Sequence, residues 1–82
     1  MDHKKALKYY SKGRELGSID CCYYMGFLYK YGLGVEKDQR KANECWEEAA
    51  LEGHEESMYA LAMNGGLSED LIKRLNTLYQ ED

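Results

Sequence analysis

Three thiols, two imidazoles and one glycine-rich loop are the groups in this chain with reactive or ligating chemistry. Cys21, Cys22 and Cys45, with His54, raise a zinc site. A structural zinc site needs Cys-x-x-Cys hooks or helical ligands at i and i+4, and neither spacing occurs among these residues. Neighbouring helical residues such as Cys21 and Cys22 point about 100° apart, which is a poor arrangement for one shared metal. His3 and His54 lack a nearby Ser or Cys nucleophile arrangement and a paired carboxylate. The expectation is three buried core thiols, no metal, no cofactor and no catalytic residue, with His54 on the surface at a helix start. Cys21 and Cys45 are both expected on the seam of one hairpin, and the sequence leaves their pairing open. Gly32-x-Gly34 has the glycines of a phosphate cradle, but no strand precedes it and no Gly-Lys-Ser/Thr follows.

Recognition is the chemistry that remains. Glu44, Glu47, Glu48, Glu52, Glu55 and Glu56 form an acidic run. It reads either as a solvated face or as a patch that steers a basic partner. Tyr23, Phe27 and Tyr31 recur at steps of four, on the side of their helix away from its apolar stripe. Clustered exposed aromatics of this kind make a contact surface.

The elements that must position these residues are helices. The 82-residue chain has no proline, a hydrophobic content of 44% and a charged content of 32%. A chain of this length forms one small domain and buries roughly 60–65% of its unfolded surface. The net charge of −4 and pI near 5.1 argue against nucleic acid or an anionic membrane as partner. No run approaches the roughly 20 apolar residues of a membrane span, and no apolar leader follows Met1-Asp2-His3-Lys4-Lys5. A cytoplasmic chain with reduced thiols is therefore expected.

The first helix is predicted near Asp2 to Leu16, with Ala6, Leu7, Tyr10, Gly13 and Arg14 at helical spacing. Gly17 ends it, and Ser18 caps a second helix over about Ile19 to Tyr31. Cys21, Met25, Leu28 and Tyr29 form the apolar stripe of that helix, with Gly26 alongside as a point of close approach. After the Gly32/Gly34 turn, Asp38 caps a helix over about Gln39 to Glu52. Ala42, Cys45, Trp46, Ala49 and Ala50 give it an i, i+3, i+4, i+7, i+8 face. A short helix over about Glu55 to Met63 turns Met58, Leu61 and Ala62 inward. Ser68 caps a last one through about Tyr79, whose apolar face is Leu71, Ile72, Leu75, Leu78 and Tyr79.

Sliding the chain on itself gives one register, at an offset of 36 residues. Ala6 meets Ala42, Gly17 meets Gly53, Tyr23 meets Tyr59, Asp20 meets Glu56, and Tyr10 meets Trp46. A period of this size, with two helices per unit, is the signature of an α-solenoid. The expected fold is all-α, about two helix hairpins plus a C-terminal capping helix. Residues 1–17 form a leading helix, 18–53 a complete repeat, 54–66 a truncated second repeat and 67–82 the cap.

The run from Cys21 through Met25-Gly26, Tyr29, Gly32-x-Gly34-Val35-x-x-Asp38, Ala42, Cys45-Trp46 and Ala49-Ala50 to Gly53 resembles the Sel-one-like repeat. That family is related to the tetratricopeptide repeat. The likeness covers about Lys5 to Ala62. Cys21 and Cys45 depart from it, standing where small and aromatic residues are more usual. The resemblance implies a right-handed solenoid that serves as a protein-binding scaffold, without catalytic residues. Some secreted members of the family carry helix-linking cysteines eight residues apart, but Gly13 and Ala49 stand eight residues before Cys21 and Ser57 here, so that framework is absent. By the tetratricopeptide analogy, the groove-facing positions are Asp20, Tyr23, Phe27, Lys30 and Tyr31, then Glu56, Tyr59 and Met63. The implied partner is a protein or peptide gripped on the concave face. A small subunit of a larger complex, or a homo-oligomer that pairs open solenoid ends, is the second reading. A thiol- or metal-dependent enzyme is a remote third.

Overall fold

The computed structural model describes residues 2–78. Five helices follow one another: α1 (His3–Glu15), α2 (Ile19–Tyr31), α3 (Gln39–Leu51), α4 (Glu55–Met63) and α5 (Glu69–Leu78). No strand occurs among the described residues. The first turn of a helix leaves backbone donors without partners, and short polar side chains supply the acceptors. Asp2 accepts from the N–H groups of Lys4 and Lys5, Ser18 from Cys21 and Asp38 from Lys41. Ser68 does the same for Leu71 at 3.1 Å.

The 36-residue offset recurs in the backbone hydrogen bonds. After α1, Gly17 donates to the Arg14 carbonyl at 3.0 Å and Ser18 to that of Gly13 at 2.8 Å. After α3, Gly53 donates to the Ala50 carbonyl at 3.0 Å and His54 to that of Ala49 at 3.1 Å. The two turn glycines share one backbone state, with φ of 91° and 92°. The same corner is built twice.

Helix α3 is the hub of the stack. It packs on α2, α4 and α5, while α1 packs on α2. The Cα extents of 44 × 25 × 15 Å describe an elongated slab, as expected of stacked helix pairs. The predicted face of α3 is buried throughout, from Ala42 to Ala50. Its alanines let neighbouring helices approach, and Trp46 fills the space that results. The indole lies on Gly26, where an added Cβ would overlap the ring. Trp46 Nε1 donates to the Tyr23 carbonyl at 3.0 Å, so the buried N–H is satisfied. Ala42, Trp46 and Ala50 share one core cluster with Ala60, Leu61, Leu71 and Leu75.

Two faces are rotated relative to the sequence reading. On α4 the buried residues are Ser57, Ala60 and Leu61. Ala62, expected inward, is exposed, and Met58 is half-buried. The partner helix explains this, because α5 packs on α3 and brings no bulky side chain over Ala62 as Trp46 covers Gly26. On α5 Leu71 and Leu75 are buried, while Ile72 and Leu78 are exposed. Contact with one neighbouring helix covers a narrow i, i+4 stripe. Tyr79, read onto the same face, lies outside the described residues.

Helix α1 has no buried residue. Arg14 anchors it to the hub, with Nε donating to Glu48 Oε2 at 2.8 Å. Gly34 closes over its first turn. A Cβ there would stand 2.6 Å from the His3 carbonyl carbon.

Candidate protein-binding face

The 36-residue register places a carboxylate, a tyrosine and an apolar residue at the same three positions of α2 and α4. These are Asp20, Tyr23 and Phe27, then Glu56, Tyr59 and Met63. The i, i+3, i+7 spacing sets each trio on one side of its helix. The structure leaves Asp20 and Glu56 exposed. Tyr31, Tyr59 and Met63 are also exposed, at 57%, 60% and 85%. Lys30 sits beside Tyr31, its Nζ 5.1 Å from the ring centroid.

Tyr23 and Phe27 are placed differently from the sequence reading, which set them opposite the core. Both are half-buried and packed against the core cluster. The cause is the width of the Trp46 indole. It reaches across Gly26 to the Tyr23 carbonyl on one side and to the Phe27 ring, 5.2 Å away, on the other. Phe27 therefore links the core to the surface, with Tyr31 stacked on it at 6.4 Å and 8°.

The rings continue beyond the predicted stripe. Tyr23 meets Phe27 edge-on at 4.9 Å and Tyr24 at 5.5 Å. Tyr24 stacks on Tyr10 of α1 at 5.3 Å, and Tyr10 meets Tyr9 at 5.5 Å. Tyr9 and Tyr24 are exposed. The sequence reading missed this extension because the helical period assigned Tyr10 to the core. The doublets Tyr9-Tyr10 and Tyr23-Tyr24 were the available signal: each sends one ring toward the neighbouring helix and one toward solvent.

His54 is a structural pivot, not a surface residue as expected. Its side chain is 17% exposed. Nδ1 accepts from the Ser57 N–H at 3.2 Å, which makes His54 the N-cap of α4. Nδ1 also lies 2.8 Å from the hydroxyl oxygen of Ser57, a fully buried residue, and so gives that hydroxyl a partner. An accepting Nδ1 sets the ring proton on Nε2. Nε2 faces Asp20 Oδ1 at 3.3 Å, and the imidazole lies 4.9 Å from the Tyr23 ring. One side chain thus caps α4 and ties it to α2.

Glu44 of the acidic run lies 3.9 Å from Arg40 on its own helix, and the other five glutamates divide into two sets. Glu48 pairs with Arg14 and Glu47 lies 3.5 Å from Arg74, so these two brace α3 against α1 and α5. Glu52, Glu55 and Glu56 are exposed. The three cysteines are free and buried. Burial pushes the Cys45 thiol up to about 11, and burial together with the Glu48 carboxylate raises Cys22. A nucleophilic or ligating thiol needs the opposite shift. A cleft of about 230 Å³ beside Cys22 is lined by Arg14 and Glu48, which answer each other's charge.

A family model of the Sel1 repeat matches residues 2–18, 19–54 and 55–76. The chain belongs to the Sel1 repeat family. The first match ends at the Gly17 corner and the second at the Gly53 corner, where the backbone geometry recurs. Sel1 repeats form helical solenoids and generally mediate protein–protein interaction, a non-enzymatic role. DAP3-binding cell death enhancer 1 of Rattus norvegicus is 31% identical over 55 residues, covering 67% of this chain and 11% of that protein. An uncharacterized Sel1-like repeat-containing protein of Schizosaccharomyces pombe is 39% identical over 44 residues, covering 54% of this chain and 7% of that protein. The chain thus matches about a tenth or less of the length of these relatives. No solved structure matches it. Among the described residues, no helix is long and apolar enough to cross a membrane.

Proposed function

We propose that this Sel1 repeat chain is a protein-interaction module, an adaptor or assembly scaffold, that holds a partner segment along α2 and α4. Tyr31, Tyr59 and Met63 provide contact area, and Tyr23 and Phe27 support them from the core. Asp20, Lys30 and Glu56 set the charge register. Residues 18–53 act as the complete repeat, and α5 covers the end of the stack. A core of protonated thiols suits a cytoplasmic setting.

The observation that carries this reading is the doubled trio of carboxylate, tyrosine and apolar side chain, one per repeat and open to solvent on α4. Large rings with a polar tip are the side chains that dominate protein interfaces. A partner recovered by affinity capture, then purified, gives the test. Tyr31→Ala with Tyr59→Ala is expected to weaken binding by calorimetry at least tenfold at unchanged melting temperature. Unchanged affinity would refute the reading. Phe27→Ala is the poorer probe, since loss of its contact with Trp46 destabilises the fold as well.

A further inference from the structure

We propose that the segment gripped by this face is basic, with an arginine or lysine set between Asp20 and Glu56 and an apolar residue directed toward Tyr31 and Met63. The inference rests on the binding face described above and specifies its partner. From Ala42 to Ile72 the sequence carries carboxylates without a single lysine or arginine. Several of these are answered within the fold: Glu48 by Arg14, Glu47 by Arg74 and Glu44 by Arg40. Glu55 and Glu56 have no ion pair among the described residues. Asp20 meets His54 Nε2 through one oxygen, and 76% of its side chain is exposed. Negative charge therefore gathers where α2 and α4 begin.

Rings border the same place. The Glu56 charge is felt at the Tyr23 hydroxyl, whose pKa is raised by burial and then by that carboxylate. Tyr23 carries the His54, Tyr24 and Phe27 rings around it. Tyr59, three residues on from Glu56, is the exposed ring here, and a carboxylate beside an open ring suits a guanidinium, which stacks on the ring while donating to oxygens at its edge. The fold already sets cations over rings in this way, with the ammonium of Lys30 over Tyr31 and that of Lys41 over Tyr29. Lys30 lies at the far end of α2 from Asp20, so the face has a negative end and a positive end. That polarity fixes the partner's direction: basic residue at the helix starts, apolar residue toward the α2 C-terminus.

The test uses a phage-displayed library of random short peptides, selected on the purified chain. Individual binders are then synthesised and measured by fluorescence polarisation at low and high salt. Expected are binders with Arg or Lys close to an aliphatic or aromatic residue and affinity that falls with salt. Asp20→Asn with Glu56→Gln is expected to weaken them about tenfold and flatten the salt dependence. Glu56→Lys, which leaves the His54 contact intact, is expected to turn selection toward acidic peptides. If the binders are neutral or acidic, or ignore the Asp20 and Glu56 variants while Tyr31→Ala with Tyr59→Ala abolishes binding, the face stands and the basic partner is wrong. Should no peptide be enriched, or the tyrosine variants bind as well as the parent, both readings fall. Salt-dependent self-association in place of peptide binding, lost when the exposed Lys4, Lys8 and Lys12 of α1 are changed to Glu, would also overturn the inference.

Discussion

Gly26→Ala sets two effects of known size against each other. In an exposed helix, alanine is favoured over glycine by about 1 kcal/mol. In α2, the added methyl would overlap the Trp46 indole, and that ring is fully buried between helices with no room to withdraw. Overfilling a packed core costs about 1–3 kcal/mol. Moving the indole also lengthens the 3.0 Å hydrogen bond from Nε1 to the Tyr23 carbonyl. A buried donor left without its partner adds about 1–3 kcal/mol. The steric side prevails, and the net loss is about 2–4 kcal/mol. At about 4–8 °C per kcal/mol for a domain of this size, the melting temperature drops by roughly 10 °C or more. Ala62, one repeat later in register, is the internal control. It is exposed, so Ala62→Gly loses helix propensity alone, about 1 kcal/mol. Urea unfolding, followed by the fluorescence of Trp46 and by circular dichroism, measures both. A Gly26→Ala chain as stable as the parent would refute the close contact of indole and α2 backbone on which the core is built.

Gly34→Ala places a side chain at φ 73° and 2.6 Å from the His3 carbonyl carbon, so a loss of about 2 kcal/mol is expected by the same unfolding measurement. The Arg14–Glu48 pair is partly exposed, with side chains 37% and 50% open, so Arg14→Gln should cost only about 0.5–1 kcal/mol. The amides of α1 should then exchange with deuterium ahead of those of α3, because α1 has no buried residue to hold it. The Cys45 thiol gives a pH dependence. Its folded value of about 11 lies above the ordinary 9.0, so its contribution is complete below pH 9 and is lost as pH rises toward 11. Melting temperature should fall across that window, and Cys45→Ala should flatten the fall.

Most of the architecture was legible because it is enforced by local chemistry. Ser18, Asp38 and Ser68 announce helix starts by supplying an acceptor, and Gly17, Gly32 and Gly53 announce ends by their backbone freedom. The face of α3 could be read because its small residues and one tryptophan are buried along a full helical stripe. The less legible features depend on which helix lies opposite. Ala62 matches Gly26 in register, yet its surroundings differ because α5 packs on α3. Nothing in the periodicity of α2 shows that Trp46 spans Gly26 and draws in Tyr23 and Phe27. His54 looked like a surface residue because its neighbours in sequence are charged. Its role depends on Ser57 one turn ahead and on Asp20 in the preceding repeat. The candidate face was thus readable in outline, while its depth and its extension to Tyr10 and Tyr24 were set by contacts between helices.

The two matched corners have a consequence for how such a chain changes length. Gly17 and Gly53 share one backbone state, and the residues around them make the same two hydrogen bonds. A second copy of residues 18–53, inserted after Gly53, would begin at a junction the fold already makes, with no new turn to invent. Gene duplication can therefore lengthen this protein in whole units, each bringing its own carboxylate, tyrosine and apolar side chain in step with the last. Reach along a partner would grow by addition rather than by redesign. A chain extended in this way should melt at a higher temperature than its parent, since each inserted unit buries a further helix pair between neighbours.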